Sequence, residues 1–285
     1  MSAPKKGIDL VHFVADYAPG DLAVSEVIDA LCDELPCNFT VAFTSVNSFK
    51  TTETGFVVGQ LAMKPRSQGA PRRVMYVNCA PRQDMRDSRA NNEGEGLVYG
   101  KLTNGVELVA VNSKFSLSVL KDHFVELYDL NVSRSGSQFR SRDNFPNAVG
   151  AVAASTDLQK AGLLGAKLDP HVVIPDFDQG YIGYIDSFGN MKTTFREDSE
   201  LVQAVKAKAS AMSADKPLRV IIGCNGSKFE ALVVTGSFQV PEGGIAFAPG
   251  SSGWDNRFWE VFARGHNAAA IFGSPDVGAE LRVEF

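Results

Sequence analysis

The sequence is poor in the groups that enzymes most often recruit for chemistry. Its 285 residues include four cysteines and four histidines. Cys32, Cys37, Cys79 and Cys224 form no CxxC pair and are too sparse for a disulfide scaffold, so they read as buried free thiols. His12, His123, His171 and His266 are scattered, with no HxH, HExxH or Cys/His spacing to hold zinc, and no metal or cofactor is expected. Cationic excess is also missing. Lys and Arg number 28 against 33 Asp and Glu, a net charge of −5, which argues against a general nucleic-acid or membrane-surface binder. No apolar run approaches the roughly 20 residues that span a bilayer, and the opening MSAPKKGIDL lacks the apolar stretch of a signal peptide, so a cytoplasmic protein is expected. No GxGxxG follows the first strand, and P-loop, GxSxG and Ser/His/Asp patterns are missing too.

What is present suits a folded chain whose partner is a small molecule: 44% hydrophobic and 21% charged residues, and length for one large or two modest domains. Ile8 to Val14 reads as a buried strand followed by turn chemistry at 15–21. A helix starts after Asp21, with apolar Val24, Val27, Ile28, Leu31 and Leu35 at helical spacing and Pro36 as its stop. Strand candidates at 39–44, 74–77, 107–111 and 125–128 alternate with helical patterns near 54–63, 115–123 and 144–155. Such alternation predicts an α/β domain with a mostly parallel sheet, helices on both faces, and a ligand crevice beyond the carboxyl ends of the strands, where Asp16 falls. The Pro-bearing run LDPHVVIPDFDQG marks a boundary. Residues 1–172 form the α/β domain, and residues 178–285, with short β-rich runs and one helix at 200–212, form a smaller barrel-like domain.

Three segments stand out. Asp16, with Asp21 nearby, offers two acceptor oxygens at a strand end, which suits a ribose diol; capping of the following helix is the competing reading for both. SQFRSRDNF (137–145) places Phe139, Arg140 and Ser141 before a helix, which suits an anion or a solvated capping turn. YIDSFGN (184–190) puts Asp186, Phe188 and Asn190 between two strands, a pattern that equally fits a plain hairpin with a Gly turn.

Together with GHNAAAIFG (265–273), these segments resemble the S-adenosylmethionine (SAM) hydrolases, or SAM hydroxide adenosyltransferases, and their relatives the SAM-dependent chlorinases and fluorinases. YIDSFGN is the most specific match. The resemblance implies a larger N-terminal α/β domain that binds the nucleoside and a smaller C-terminal β-barrel that completes the site, in a homotrimer with sites between subunits. It implies that Asp16 holds the ribose hydroxyls, that Asp186, Phe188 and Asn190 line the methionine and adenine side, and that Asn267 and Ala268 contact adenine. Ser252 and Trp254, in GSSGWDNRFWE (250–260), fall where the family binds the methionine moiety. Where hydrolase members carry an Asp, an Arg and a His around the attacking water, this chain has Asn78, Met85 or Arg86, and Arg140, and Ser141 stands where fluorinases have a Ser. The resemblance therefore implies SAM cleavage to adenosine and methionine by water or hydroxide at the 5′ carbon. Halide transfer to that carbon, or SAM or adenosine binding without turnover, are the alternatives it leaves open.

Overall fold

A computed structural model describes residues 7–83, 86–87, 94–133, 135–213 and 216–285 of the chain. They divide into two compact units, one ending at Asp176 and the other starting at Phe177. The first unit comprises β1 (Asp9–Ala15), α1 (Leu22–Glu34), β2 (Phe39–Ser45), α2 (Thr51–Ala62), β3 (Arg73–Asn78), β4 (Leu97–Leu102), β5 (Glu107–Val111), β6 (Phe124–Leu130), α3 (Arg140–Asp143), α4 (Phe145–Ala153), β7 (Leu164–Lys167) and α5 (Pro170–Val173). Asp21 caps α1, its Oδ1 accepting from the Ala23 amide at 3.0 Å.

Among the described residues the sheet has seven strands in the order β2-β1-β3-β5-β4-β6-β7. The first four run parallel. From β5 onward the pairing turns antiparallel, so the sheet is mixed rather than mostly parallel. A hairpin makes the change: Gly105 (φ +78°) takes the left-handed conformation between β4 and β5, and its amide donates to the Leu102 carbonyl at 2.9 Å. Such a short loop forces the two strands antiparallel.

Val11, Phe13 and Ala15 of β1 pack with Val27 and Leu31 of α1 and with Phe145, Ala148, Val149 and Val152 of α4. Each of these larger side chains contributes about 1.5–3 kcal/mol by leaving water. Strand alternation turns Leu10, His12 and Val14 to the opposite face, where α2 contacts β1 and β3. The helical pattern at 115–123 folds as a 3₁₀ segment, Lys114–His123, against α2.

Arg72 ties these layers together. Its guanidinium donates to the Val152 and Ala153 carbonyls at 2.6 Å each, satisfying the end of α4, and to Glu107 Oε2, whose other oxygen accepts from the Tyr99 hydroxyl at 2.9 Å. Removing one member of such a network strands the rest. Arg72→Met is expected to cost about 2–4 kcal/mol in a urea unfolding series with unchanged slope; a loss under about 0.5 kcal/mol, the level of an ordinary surface site, would contradict this role.

The second unit comprises β8 (Ile182–Ile185), β9 (Met191–Arg196), α6 (Glu200–Ser210), β10 (Arg219–Cys224), β11 (Ser227–Val233), β12 (Ile245–Pro249), β13 (Phe258–Ala263), α7 (Ala268–Ile271) and β14 (Leu281–Glu284). Its sheet has the order β14-β10-β11-β12-β13-β9-β8 and is antiparallel except at β11–β12. The sheet curls into a half-barrel: the Leu281 amide donates to the Gly180 carbonyl at 2.7 Å and the Ile182 amide to the Ala279 carbonyl at 2.9 Å, lacing the segments beside its two edge strands. Phe247, Trp259 and Phe272 fill its core with Val202 and Val205 of α6. Among the described residues, no helix is long and apolar enough to cross a membrane.

Candidate functional site

The first unit's strand order reverses between β1 and β3. From β1 the chain goes to β2 on one side, and β3 and β5 lie on the other. Parallel strands that diverge in this way leave a crevice beyond their carboxyl ends. A cleft of about 950 Å³ opens there, lined by Asp16 and Tyr17 after β1, Asn78 at the end of β3, Val111 at the end of β5, and Phe139, Arg140 and Ser141 at the start of α3. Ser48, Phe49, Arg82 and Glu95 complete much of its wall.

Asp16 leaves the sheet immediately after the buried Ala15. One of its carboxylate oxygens accepts from the Phe49 amide at 3.2 Å, and its carbonyl accepts from the Ser48 hydroxyl at 3.3 Å. Burial raises its carboxyl above the ordinary value, against the opposing pull of the Phe49 amide and of the Arg82 charge. The loop that supplies Phe49 is anchored by buried Glu53, which accepts from the Asn47 amide at 2.8 Å and from its side-chain Nδ2 at 3.3 Å. Phe49 itself has φ +66° and is 61% exposed at the cleft. A large aromatic in the left-handed region costs energy, which the Asp16 and Glu53 contacts offset.

At the cleft floor an aromatic ladder runs from the core. Tyr76 stacks on Phe13 with ring centroids 4.9 Å apart, and Tyr17 meets Phe13 and Phe139 edge-on at 6.3 and 6.1 Å. The fully buried Tyr76 hydroxyl donates to the Ser141 carbonyl at 2.9 Å, while the Tyr17 oxygen lies 2.7 Å from Ser141 Oγ and accepts from Asn78 Nδ2 at 2.9 Å. Ser141, 4% exposed, is therefore held at both its backbone and its hydroxyl. Arg140 reaches across the cleft to donate to the Glu95 carbonyl at 3.4 Å, and its guanidinium lies 4.9 Å from the Phe145 ring. Its neighbour Arg142 instead makes a surface pair with Glu26 and Asp143, and together with Ser137 it holds the Asp143 carboxyl at about 2.

Five sequence-predicted residues, Asp16, Asn78, Phe139, Arg140 and Ser141, thus share one cleft. Arg86 does not join them: it is exposed and lies outside the lining, because it stands on a loop beyond the end of β3, where no strand fixes the facing of its side chain. Its alternative, Met85, lies outside the described residues. Cys79 is fully buried beside Asp16, and burial, with the Asp16 charge, pushes its thiol up to about 12, so it stays protonated and inert. Tyr17, Phe49, Arg82 and Glu95 were missed by sequence reasoning. For Tyr17 the available signal was its place next to Asp16.

In the second unit the other expected residues form their own cluster. Asp186 Oδ1 accepts from the Phe188 and Asn190 amides at 3.0 Å each. Its Oδ2 accepts from Asn190 Nδ2 at 2.9 Å and lies 3.3 Å from Lys192 Nζ, which also pairs with Glu260. These four donors occupy the acceptor capacity of a carboxylate. The Asn267 side chain caps the following turn by accepting from the Ala270 amide at 2.7 Å, and the Ala269 amide donates to the Gly189 carbonyl at 3.0 Å beside fully buried Ala268. The two motifs therefore knot together, with Phe188 left 77% exposed. Ser252 is buried and its carbonyl accepts from the Phe258 amide at 2.8 Å; Trp254 has φ +55° in the same loop. Trp259 is buried, with Nε1 donating to Glu197 at 2.9 Å.

Fold and cleft together define a two-unit α/β protein with a polar crevice at the carboxyl ends of its parallel strands. A solved structure of an uncharacterized conserved protein from Thermotoga maritima matches it with a TM-score of 0.72 at 17% identity, covering 96% of this chain and 100% of that one. A conserved hypothetical protein from Thermus thermophilus matches with a TM-score of 0.62 at 16% identity, covering 96% of this chain and 99% of that one. At these identities the likeness is one of fold. No family model and no curated protein matches the sequence.

Proposed function

We propose that the chain binds SAM and cleaves it to adenosine and methionine by attack of water or hydroxide at the 5′ carbon. The observation that carries this reading is the convergence of Asp16, Asn78, Phe139, Arg140 and Ser141, from three distant stretches of sequence, on one cleft of nucleoside-ligand size. In the attack the oxygen nucleophile forms a bond to C5′ as the C5′–S bond breaks. Its electron pair passes to sulfur, giving neutral methionine, and a water nucleophile releases its proton to solvent. A sulfonium is already a good leaving group, so the protein's part is to hold the substrate, align the nucleophile and exclude bulk water. Asp16 holds the ribose hydroxyls, and Asn78, Arg140 and Ser141 surround the entering group. The second unit, read as a small β-barrel on the strength of its laced edges, carries Phe188 and the 252–254 loop, which the resemblance assigns to ligand binding. Asp186, Asn190 and Asn267 act there by shaping the backbone, since their side chains are taken up by the bonds of their own turns. The assembly is a homotrimer with sites between subunits, and light scattering tests the trimer.

Anion transfer is the second reading, favoured by the cationic side chains of Arg82 and Arg140 in the cleft lining. One chromatographic assay of the purified protein with SAM, with and without chloride or fluoride, separates the outcomes. Adenosine is the expected product. A 5′-halogenated nucleoside would replace hydrolysis by halide transfer, and SAM bound but unchanged would reduce the protein to a binding module. SAM neither bound nor altered would overturn the functional reading while leaving the fold intact.

A further inference from the structure

β4 runs antiparallel to β5, with Leu97 paired to Val111, so the residues just before β4 lie beside the carboxyl end of β5, at the cleft. Glu95 is one of them: it lines the cleft and is only 6% exposed. It is fixed from three sides. Its carbonyl accepts from Arg140 at 3.4 Å, the Gly96 carbonyl after it accepts from the Asn112 amide at 2.9 Å, and its Oε1 accepts from the Arg82 amide. Arg82 holds φ +58° where it makes that bond, a conformation that costs an L side chain energy and that the contact with Glu95 offsets. The second carboxylate oxygen, Oε2, has no hydrogen-bond partner among the described residues. A buried acceptor with nothing to accept from opposes folding unless a ligand or a water supplies the donor.

Attack of water at C5′ calls for such an acceptor. As the water oxygen bonds to carbon it takes on positive charge, and its proton must pass to a base. The other groups of the cleft do not serve. Asn78 is a neutral amide, and Arg82 and Arg140 carry no acceptor. Tyr17 and Cys79 keep their protons: burial raises the phenol, and burial together with the Asp16 charge pushes the thiol up to about 12. Asp16 has one oxygen on the Phe49 amide and is assigned to the ribose. We infer that Glu95 is the general base of this cleft. Oε2 takes the proton of the attacking water while the O–C5′ bond forms and the C5′–S electron pair passes to sulfur, and it returns that proton to solvent once the products leave. The inference rests on reading the cleft as the place where water meets SAM, and it supplies the base that Asn78 and Arg140 cannot provide.

The test is steady-state turnover of SAM to adenosine by the full chain in halide-free buffer, with SAM affinity measured separately by calorimetry. Glu95→Gln keeps the side-chain length and an oxygen for the Arg82 amide and removes the base; it is expected to lower kcat about 100-fold or more while SAM affinity stays within about fivefold. Wild-type kcat should fall about tenfold per pH unit along one acid limb, and Glu95→Gln should lack that limb because an amide does not titrate. Asp16, which holds the ribose, acts on affinity instead and shows in kcat/KM. Glu95→Asp keeps a carboxylate on a shorter arm, so it is expected to turn over faster than Glu95→Gln and to retain the acid limb. A purely structural role predicts the reverse order, since Gln preserves the contact with the Arg82 amide and Asp shortens it. Wild-type turnover by Glu95→Gln, an acid limb that survives in it, or a Glu95→Asp slower than Glu95→Gln would each overturn the inference and leave the SAM reading standing, with circular dichroism showing every variant folded. No adenosine from the wild type would remove the hydrolysis reading and this inference together, and calorimetry then reports whether SAM still binds.

Discussion

Asp16→Asn is expected to lose SAM and adenosine affinity by about 100-fold or more while making the ligand-free protein more stable. Two hydrogen bonds from ribose hydroxyls to a carboxylate are worth about 1.5–3 kcal/mol each, and the amide supplies only one acceptor oxygen. The opposite effect on stability follows from the raised carboxyl. Burial lifts the Asp16 value in the folded chain above the 3.8 of the unfolded one, so the folded state holds the proton more tightly. Stability from this group is therefore full below 3.8 and is lost as pH rises through the folded value, and at pH 7 the buried charge is a cost. The neutral amide removes that cost. Thermal unfolding should show Asp16→Asn above wild type at pH 7, with the gap closing as pH falls toward 3.8. A variant that binds as tightly as wild type would dismiss the ribose assignment. One that is less stable at neutral pH would make Asp16 a structural residue. A charge kept against stability is the mark of a site retained for a ligand.

What could be read from the sequence follows from how local each signal is. The strand ending before Asp16, the capped helix after Asp21 and the turn at SQFRSRD depend on spacing and capping within a few residues, and the fold places the first and the last of them at the cleft. β4 and β12 escaped because LVYGKL carries an interior Gly100 and IAFAP is short and alanine-bearing, so neither has the β-branched alternation of a clear strand. The cost of missing β4 was the pairing sense of half a sheet. Arg86 was placed by counting along a loop, and a loop does not preserve the facing that a strand fixes. Tyr17 was invisible for a different reason. Its hydroxyl matters only through Asn78, 61 residues away, and Ser141, 124 residues away. In the second unit Asp186, Asn190 and Asn267 are the residue types that build turns as readily as they bind ligands, and in the folded chain their side chains bond within those turns.

That knot gives a stability effect as large as the one expected at Arg72. Gly189 has φ +79°, which an L side chain rarely adopts, and a Cβ built on it would lie 2.0 Å from Asn267 Oδ1 and 2.2 Å from its Cγ. Asn267 cannot swing aside without abandoning the Ala270 amide that it caps, nor can the backbone withdraw without breaking the bond from the Ala269 amide to the Gly189 carbonyl. Gly189→Ala must therefore combine backbone strain with a lost cap, together about 2–4 kcal/mol. Asn267→Ala removes the steric partner and gives up the cap alone, at about 1 kcal/mol. The double variant should accordingly be less destabilised than the sum of the two singles, because the Gly189→Ala methyl then has room. Urea unfolding of the three variants reads this coupling. Strict additivity would mean that the two motifs do not press on each other, and that Gly189 answers only to its own turn.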